Sequence, residues 1–533
     1  MTNSIAEFRC AKSFFCIGTN MTEAHPVIAT FVINAVERGA DLIVVDPRKQ
    51  KLADYASIFA QIKVGSDIAF LNGLMNVLIA EGLYDKEFVA NFCDNFDEVK
   101  VVTRNYTPER AAEICGVPAQ VIREIARRLA KVKPTMLCYT LGITEHTCGV
   151  HNVFSVANLQ MMLGNMGVEC GGVNPLRGQN NVQGACDMGA LPNVYHGYHP
   201  VASPESKYKF EKAWGTALSD KPGLMMPQMF EGMSSGKIRF FWCFGEDPAK
   251  TEPDLNKLQR ELSSVEFMVS QEIFMTETAK FAHVILPAAA WGEADGTYTN
   301  SERRINRVRK VSEAPGMARP NWWIFREVAR RMGHNWDSGS AQEIWDKEIS
   351  ELAPAMRGIK YYRLEGDGLQ WPCIDEDHCG TPVLHKGGRF AAGLGLFKPV
   401  DWTPPAEMPN GEYPFILSTG RRLYQYNAGN QSSRGGMDVL LPEETVDLSS
   451  VDADELGIVE GERVKVSSRR GSVTVRARIV HEVPKGMVWM SFHHQPGNAN
   501  WLTNSVYDPL TLTAEYKACA VRVEKIKDMA GGE

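Results

Sequence analysis

Cysteine pairs at metal-binding spacing are missing from this chain: twelve cysteines are scattered through 533 residues and none forms Cys-x-x-Cys. A structural zinc or a four-cysteine cluster therefore has little to hold it. The nearest pairs are Cys10 with Cys16 and Cys373 with Cys379. The second pair, even with His378 beside it, reads as two free or surface thiols in a loop. Scattered, unpaired thiols fit a reducing compartment, so the cytoplasm is the expected location. No apolar run approaches the roughly 18–20 residues of a membrane span, and no secretory signal opens the sequence. Neither Gly-x-Gly-x-x-Gly nor Gly-x4-Gly-Lys-Ser/Thr occurs, which weakens nicotinamide-dinucleotide and P-loop readings. Positive charge is not in excess, since 57 Lys and Arg face 64 Asp and Glu for a net −7. That balance argues against nucleic acid as the main ligand. The densest basic run, Arg303, Arg304, Arg307, Arg309 and Lys310, reads as a solvated helix or strand face, with phosphate contact as the alternative.

What remains is an ordinary globular composition, 44% hydrophobic and 23% charged, with length for about three to four domains. The first half alternates strand and helix. Residues 13–17 and 42–45 are short apolar strands. Between them, 24–38 has helical spacing, with Val27, Phe31, Ile33 and Val36 as candidate core contacts. A second helix over 67–79 is capped by Ser66 or Asp67 and carries Ile68, Leu71, Met75 and Leu78 on one face. A third spans 118–130, with Pro118 suited to the first helical position. Residues 135–140 form a strand, followed by a helix near 152–162. This alternation predicts an α/β fold with a doubly wound parallel sheet. The pattern returns at 238–244, 266–270 and 283–286, so two Rossmann-like halves are expected. Residues 353–412, with Gly387-Gly388 and Pro404-Pro405, read as an irregular connector. From about Tyr413 the chain turns β-rich. Residues 464–467 and 472–479 flank the turn Arg469-Arg470-Gly471, and 487–492 is a further strand. The expected organisation is one α/β region over 1–170, a second over 171–352, the connector 353–412 and a β-barrel over 413–533.

The most informative stretch is 174–189, Asn-Pro-Leu-Arg-Gly-Gln-Asn-Asn-Val-Gln-Gly-Ala-Cys-Asp-Met-Gly. It has no hydrophobic period, so neither an amphipathic helix nor a strand is expected. One cation, Arg177, stands among Gln179, Asn180, Asn181 and Gln183, with Gly178, Gly184 and Gly189 between them. Arginine offers a fixed fork of donors suited to a carboxylate. Apolar segments flank the string, so it reads as a polar loop held against a core, a place for a small anion and a large polar cofactor.

Ligands of open α/β sheets sit beyond the strand ends. In the first half those ends read Gly18-Thr19-Asn20 with Glu23 and His25 close by, then Asp46-Pro47-Arg48-Lys49, Gly65-Ser66-Asp67 and Gly142-Ile143-Thr144-Glu145-His146. In the second half they read Gly245-Glu246-Asp247, then Gln271 through Phe274 to Thr276, and Trp291-Gly292-Glu293. Singly, each is turn chemistry. Together, acidic residues at strand ends suit ribose hydroxyls or a guanine edge.

The string 174–189 resembles the signature loop of molybdenum- or tungsten-dependent formate dehydrogenases, within the molybdopterin oxidoreductase family. The resemblance runs from about residue 1 to 527. It implies that Arg177 faces formate at the metal, with Gln179 beside it and Gly178 and Asn180 lining the pterin site. It implies a bis-molybdopterin guanine dinucleotide carrying Mo or W. One dinucleotide would contact Gly18, Asn20, Glu23, Asp46, Arg48, Gly65, Asp67, Gly142 and Thr144. The other would contact Gly245, Glu246, Asp247, Gln271, Phe274, Thr276, Trp291 and Glu293. A C-terminal double-psi barrel would add Thr419, Arg421, Leu423, Tyr426, Ser432, Asn500, Thr503, Asn504, Tyr516 and Lys517. The sequence departs from the family at Gln425, where histidine is frequent, and at Glu145, where glutamine is frequent. No histidine or cysteine here, Cys10 and Cys186 included, matches a metal ligand of the family.

Members usually begin with a cysteine-rich [4Fe-4S] segment and then supply a cysteine or selenocysteine to the metal. Neither is in this sequence, so the cluster is expected in a missing N-terminal part or in iron–sulfur partner subunits. Met1 is expected not to be the native start, because an in-frame UGA read as a stop would restart the frame here. The periplasm stays open as a location for the same reason, and the chain as written is expected to be inactive. The alternatives are another member, such as a nitrate reductase, or a scaffold that kept the fold and lost the metal, as in the large iron–sulfur subunit of respiratory complex I.

Overall fold

All five residues of Ser13–Ile17 (β1) are buried, and the sheet around them is the reason. In the computed structural model, which describes residues 1–526, β1 is the middle of a five-stranded parallel sheet. Its other strands are Asp41–Val45 (β2), Ile58–Ala60 (β3), Thr135–Tyr139 (β4) and Val173–Pro175 (β5), in the order β3-β2-β1-β4-β5. Cys16 is level with Val44 on one side and Cys138 on the other. A parallel sheet is covered on both faces, so its strands are apolar throughout. Phe14, Cys16, Leu42 and Val44 pack on Pro26–Glu37 (α1). Phe15, Ile17, Ile43, Val45 and Leu137 pack on Asp67–Ala80 (α2), Ala119–Lys131 (α3) and Gly149–Met162 (α4).

The helices expected at 24–38, 67–79, 118–130 and 152–162 are present, with corrections of phase, and three unexpected ones, Lys86–Phe92, Phe96–Thr103 and Pro108–Cys115, lie between α2 and α3. α1 begins at Pro26, because a residue before proline is pushed out of the helical region and His25 has φ −140. Its core face is Ile28, Ala29, Val32 and Ala35, whereas Val27 is 68% exposed and Phe31, Ile33 and Val36 are only partly covered. Pro118 caps α3 from outside rather than opening it. The polar string is not free of regular structure: 173–175 pairs with β4 as an edge strand, and Val182–Asp187 (α5) is a short helix.

The described chain divides into two units, one of residues 1–176, 250–258 and 383–533, the other of 177–249 and 259–382. In the second unit Phe240–Phe244 (β6), Phe267–Glu272 (β7) and Val284–Pro287 (β8) form a parallel sheet in the order β8-β7-β6. Beside it Gly296–Thr299 (β9), Arg304–Val308 (β10) and Leu369–Gln370 (β11) form an antiparallel one. The first unit is completed by a closed six-stranded barrel. Its strands are Phe415–Thr419 (β12), Thr445–Leu448 (β13), Arg463–Ser467 (β14), Ser472–Ile479 (β15), Met487–Met490 (β16) and Cys519–Lys525 (β17). The last seven residues of the expected 413–533 region lie outside the described residues.

Two side-chain expectations are corrected, and the reading of Cys373 and Cys379 as free thiols holds. Cys10 and Cys170 form a disulfide across 160 residues of sequence, while the other ten cysteines are free; local spacing cannot show such a pair. Cys373 is a buried thiol donating to the His378 carbonyl at 3.2 Å, while Cys379 is exposed. Arg303 is not on a solvated face. It is 2% exposed, and its guanidinium donates to the carbonyls of Trp371, Thr381 and Pro382. Among the described residues no helix is long and apolar enough to cross a membrane.

Candidate functional site

In the first unit, β1 and β4 end with their backbones in contact. The Gly18 carbonyl accepts from Gly142 N at 3.1 Å and from Thr140 Oγ1 at 2.8 Å. Gly18 has φ +56, and a Cβ there would stand 2.7 Å from Ile143 Cγ2, so only glycine fits both demands. Beyond β2, Asp46 Oδ1 accepts from Arg48 N at 2.9 Å. Arg48 pairs with Glu23 at 3.2 Å. Burial pushes the Asp46 carboxyl up to about 6, and the nearby Asp67 adds to it, against the pull of the Arg48 N–H and charge. Asp67 opens α2 and is raised by burial as well, with the His146 charge pulling it down. Asn20 Oδ1 accepts from Thr22 Oγ1 at 2.9 Å. The Gly65 carbonyl accepts from Trp402 Nε1 at 2.9 Å.

The barrel meets these strand ends with cations. Lys517 Nζ pairs with Glu145 at 2.7 Å and donates to the Thr419 carbonyl at 2.9 Å. Thr419 Oγ1 donates to the Tyr516 carbonyl at 2.9 Å, and the Tyr516 hydroxyl to the Thr251 carbonyl at 3.0 Å. Trp489, on β16, holds the Arg48 guanidinium 4.3 Å and the Arg422 guanidinium 4.5 Å from its ring. Each such contact adds about 0.5–2 kcal/mol. Trp489 and Arg422 were not legible as partners, because no local spacing links positions 48, 422 and 489.

The other expected barrel residues are placed as follows. Leu423 and Tyr426 are 51% and 54% exposed. Ser432 Oγ accepts from Tyr426 N at 3.0 Å, and Arg421 Nε donates to Asn427 Oδ1 at 3.1 Å. Asn500, Thr503 and Asn504 are buried. Asn500 Nδ2 donates to the Thr251 carbonyl, Thr503 Oγ1 to Asn500 Oδ1 and Asn504 Nδ2 to the Ala518 carbonyl. These bonds tie the chain to itself.

In the second unit, Gly245 ends β6 with φ +64 and open space where a Cβ would point. Asp247 Oδ1 accepts from Thr278 N at 2.8 Å and Oγ1 at 2.7 Å. Gln271 is fully buried on β7. Its Nε2 donates to Asn321 Oδ1 at 2.8 Å, and its Oε1 takes no hydrogen bond from the described residues. Thr276 Oγ1 accepts from Ala279 N and Glu293 Oε2 from Ala290 N, while Trp291 is 62% exposed and Phe274 half-buried.

The signature string also lies mostly here. Arg177 N donates to Ser301 Oγ at 3.1 Å, and that hydroxyl donates back to the Arg177 carbonyl at 3.3 Å. Asn181, at φ +68, accepts from Thr299 N at 2.9 Å. The backbone of the string is thus pinned to the β9–β10 hairpin. Arg177 Nη1 reaches Cys186 Sγ at 3.6 Å. Gly178 faces open space, Gln179 is half-buried and Asn180 exposed.

These residues fit a large polar dinucleotide. In the first unit buried acids stand among Arg48 and Lys517; in the second, by itself, Gly245 faces open space and the buried acceptor Gln271 Oε1 has no donor among the described residues. Among the described residues no group of three or more His, Cys, Asp or Glu is gathered as metal ligands.

Residues 1–331 match the family described as Molybdopterin oxidoreductase, and 415–520 that described as Molydopterin dinucleotide binding domain. A formate dehydrogenase alpha subunit of Methanococcus maripaludis is 45% identical over 99% of this chain and 78% of its own length. Formate dehydrogenase H of Escherichia coli is 38% identical over 100% of this chain and 75% of its own length. Acetylene hydratase from Pelobacter acetylenicus shares the fold, with a TM-score of 0.77 at 20% identity over 98% of this chain and 79% of its own.

Proposed function

Since the chain belongs to the molybdopterin oxidoreductase family, we propose that it catalyses the reversible two-electron oxidation of formate to carbon dioxide with Arg177 as the residue that binds formate. The reading is supported by relatives named as formate dehydrogenases at 38–45% identity. The observation that carries the role of Arg177 is its backbone clamp: Ser301 holds both its N–H and its carbonyl, so the guanidinium projects from a fixed point. A bidentate charge-assisted contact to a carboxylate contributes about 1.5–3 kcal/mol. Gln179, half-buried two residues on, narrows the space beside it. A molybdenum or tungsten pterin centre would take up the two electrons. Formate gives up those electrons and one proton, and a neutral product leaves the guanidinium with nothing to hold. Arg177→Lys in the loaded enzyme is expected to raise KM for formate at least about tenfold. An unchanged KM removes Arg177 from the site.

The cofactor is proposed as two pterin guanine dinucleotides. The strand ends after β1, β2 and β4, with Thr419, Tyr516 and Lys517, would hold one, and those after β6, β7 and β8 the other. Two guanine nucleotides released per metal on acid hydrolysis is the expected count, and one would sink the assignment. Iron–sulfur electron-transfer subunits are the proposed partners, since the relatives are alpha subunits. Co-purification with an iron-containing chain tests this. A cytoplasmic location is proposed from the ten free thiols, with the single Cys10–Cys170 disulfide counting against it, and cell fractionation decides it.

A further inference from the structure

Asp187 closes α5 and is fully buried. Its carboxylate accepts three hydrogen bonds: Oδ1 from Gln183 Nε2 at 2.7 Å and from the Tyr198 hydroxyl at 2.7 Å, Oδ2 from Trp371 Nε1 at 2.8 Å. The donors come from the same helix one turn back, from the turn 196–198, and from the segment after β11. All three are neutral. Burying a carboxylate is costly unless it is hydrogen-bonded and its charge is met. Burial raises the Asp187 carboxyl above its ordinary value, and the three hydrogen bonds and then the charge of Arg177 act against that rise. Arg177 Nη1 lies 3.6 Å from the sulfur of Cys186, the neighbour of Asp187 on the same turn, so the guanidinium already rests against α5.

The donors are themselves fixed. Tyr198 adopts φ +61, a region uncommon for a residue with a side chain and kept where the surroundings hold it. Its hydroxyl turns inward to Asp187 although the residue is 39% exposed. The Trp371 carbonyl receives the buried guanidinium of Arg303, which also lies 5.6 Å from the Trp371 ring. Nothing in the dinucleotide contacts requires this buttress.

We propose that Asp187 is a positioning residue for Arg177, a carboxylate locked by Gln183, Tyr198 and Trp371 that sets the direction of the guanidinium fork; this rests on Arg177 being the formate-binding residue. Ser301 holds the backbone end of Arg177, and the head lies 3.6 Å from Cys186 Sγ, the residue next to Asp187, where the carboxylate charge would orient it. A fork already aimed loses little freedom when formate arrives. Two effects of the Asp187 charge oppose each other: it aims the fork and it repels the formate anion. The proposal holds that aiming outweighs repulsion, so removing the charge raises KM.

The test is steady-state kinetics with formate on purified holoenzyme carrying Asp187→Asn, Tyr198→Phe or Arg177→Lys, each checked for metal and pterin content. Asp187→Asn keeps the shape and removes the charge. KM for formate is expected to rise about tenfold, with kcat within about twofold at equal cofactor loading. Tyr198→Phe, which removes one donor and keeps the charge, is expected to raise KM about two- to threefold. If Asp187→Asn does not load cofactor, Tyr198→Phe decides alone: a raised KM at full loading supports the proposal, and an unchanged one overturns it. A KM that stays level or falls in Asp187→Asn also overturns it. Arg177→Lys separates the two readings. If its KM is unchanged, the formate role of Arg177 fails. If only its KM rises, that role stands and the positioning role of Asp187 fails.

Discussion

Lys517 Nζ lies 2.7 Å from Glu145 Oε2, joining the loop after β4 to the last turn before β17. Both side chains are at most about a tenth exposed. Removing one member of a buried pair is worse than removing both, because it strands a charge. Glu145→Gln is expected to cost about 2–4 kcal/mol, with Glu145→Gln/Lys517→Met recovering most of it. Differential scanning calorimetry of the apoprotein reads both. Additive losses would mean that the pair is not coupled.

Ser301→Ala removes the one hydroxyl that satisfies both the N–H and the carbonyl of Arg177. The loss of about 1 kcal/mol of restraint corresponds to roughly a fivefold rise in KM for formate. Ser301→Thr keeps the hydroxyl and is expected to stay within about twofold of wild type. Equal KM values for all three would detach the hairpin from substrate binding.

Asp46 gives a pH signature. Its folded-state carboxyl is raised from 3.8 to about 6, so folding favours the protonated form. That contribution is fully present below about pH 4 and is lost as pH rises through 6; the ionised form then costs at most about 3 kcal/mol. Asp46→Asn keeps the acceptor for Arg48 N and cannot ionise. Apoprotein melting curves should show the variant more stable than wild type at about pH 7.5, with the gap closing toward pH 4. A gap independent of pH would reject the assignment to this carboxyl.

The Cys10–Cys170 bond closes a loop of 160 residues. Mapping of unreduced protein should yield the two peptides joined, and reduction should lower the melting temperature by the equivalent of about 2–4 kcal/mol. Cys10→Ser should melt like the reduced protein and be indifferent to reductant. Thiol counting that finds twelve free cysteines in unreduced protein would contradict the bond.

What was legible in the sequence was periodic or locally dense. The apolar run at β1 identified a short strand, and the polar string identified Arg177, because each signal lies within a few neighbouring positions. What was not legible depends on residues far apart. Arg303 looked like part of a charged face, yet its partners are carbonyls at 371, 381 and 382. Asp187 gains its meaning from Trp371, 184 residues away. The core face of α1 was misjudged by one position because the break at His25 resets the helical phase. Asn500, Thr503 and Asn504, expected at a ligand, are buried and hydrogen-bond to Thr251, Asn500 and Ala518, partners that polarity alone cannot show.

The first unit is interrupted by the second in chain order: about two hundred residues separate its α/β sheet from its barrel. During synthesis at about 5–20 residues per second, the sheet therefore waits about 15–70 s for Trp489 and Lys517, which lie more than three hundred residues beyond its last strand. Throughout that interval Arg48 has no indole to lie on and Glu145 no ammonium to meet. A dinucleotide offered early would find only half of its holders. Loading is thus a late event in the life of the polypeptide, set by the order in which the ribosome delivers the chain.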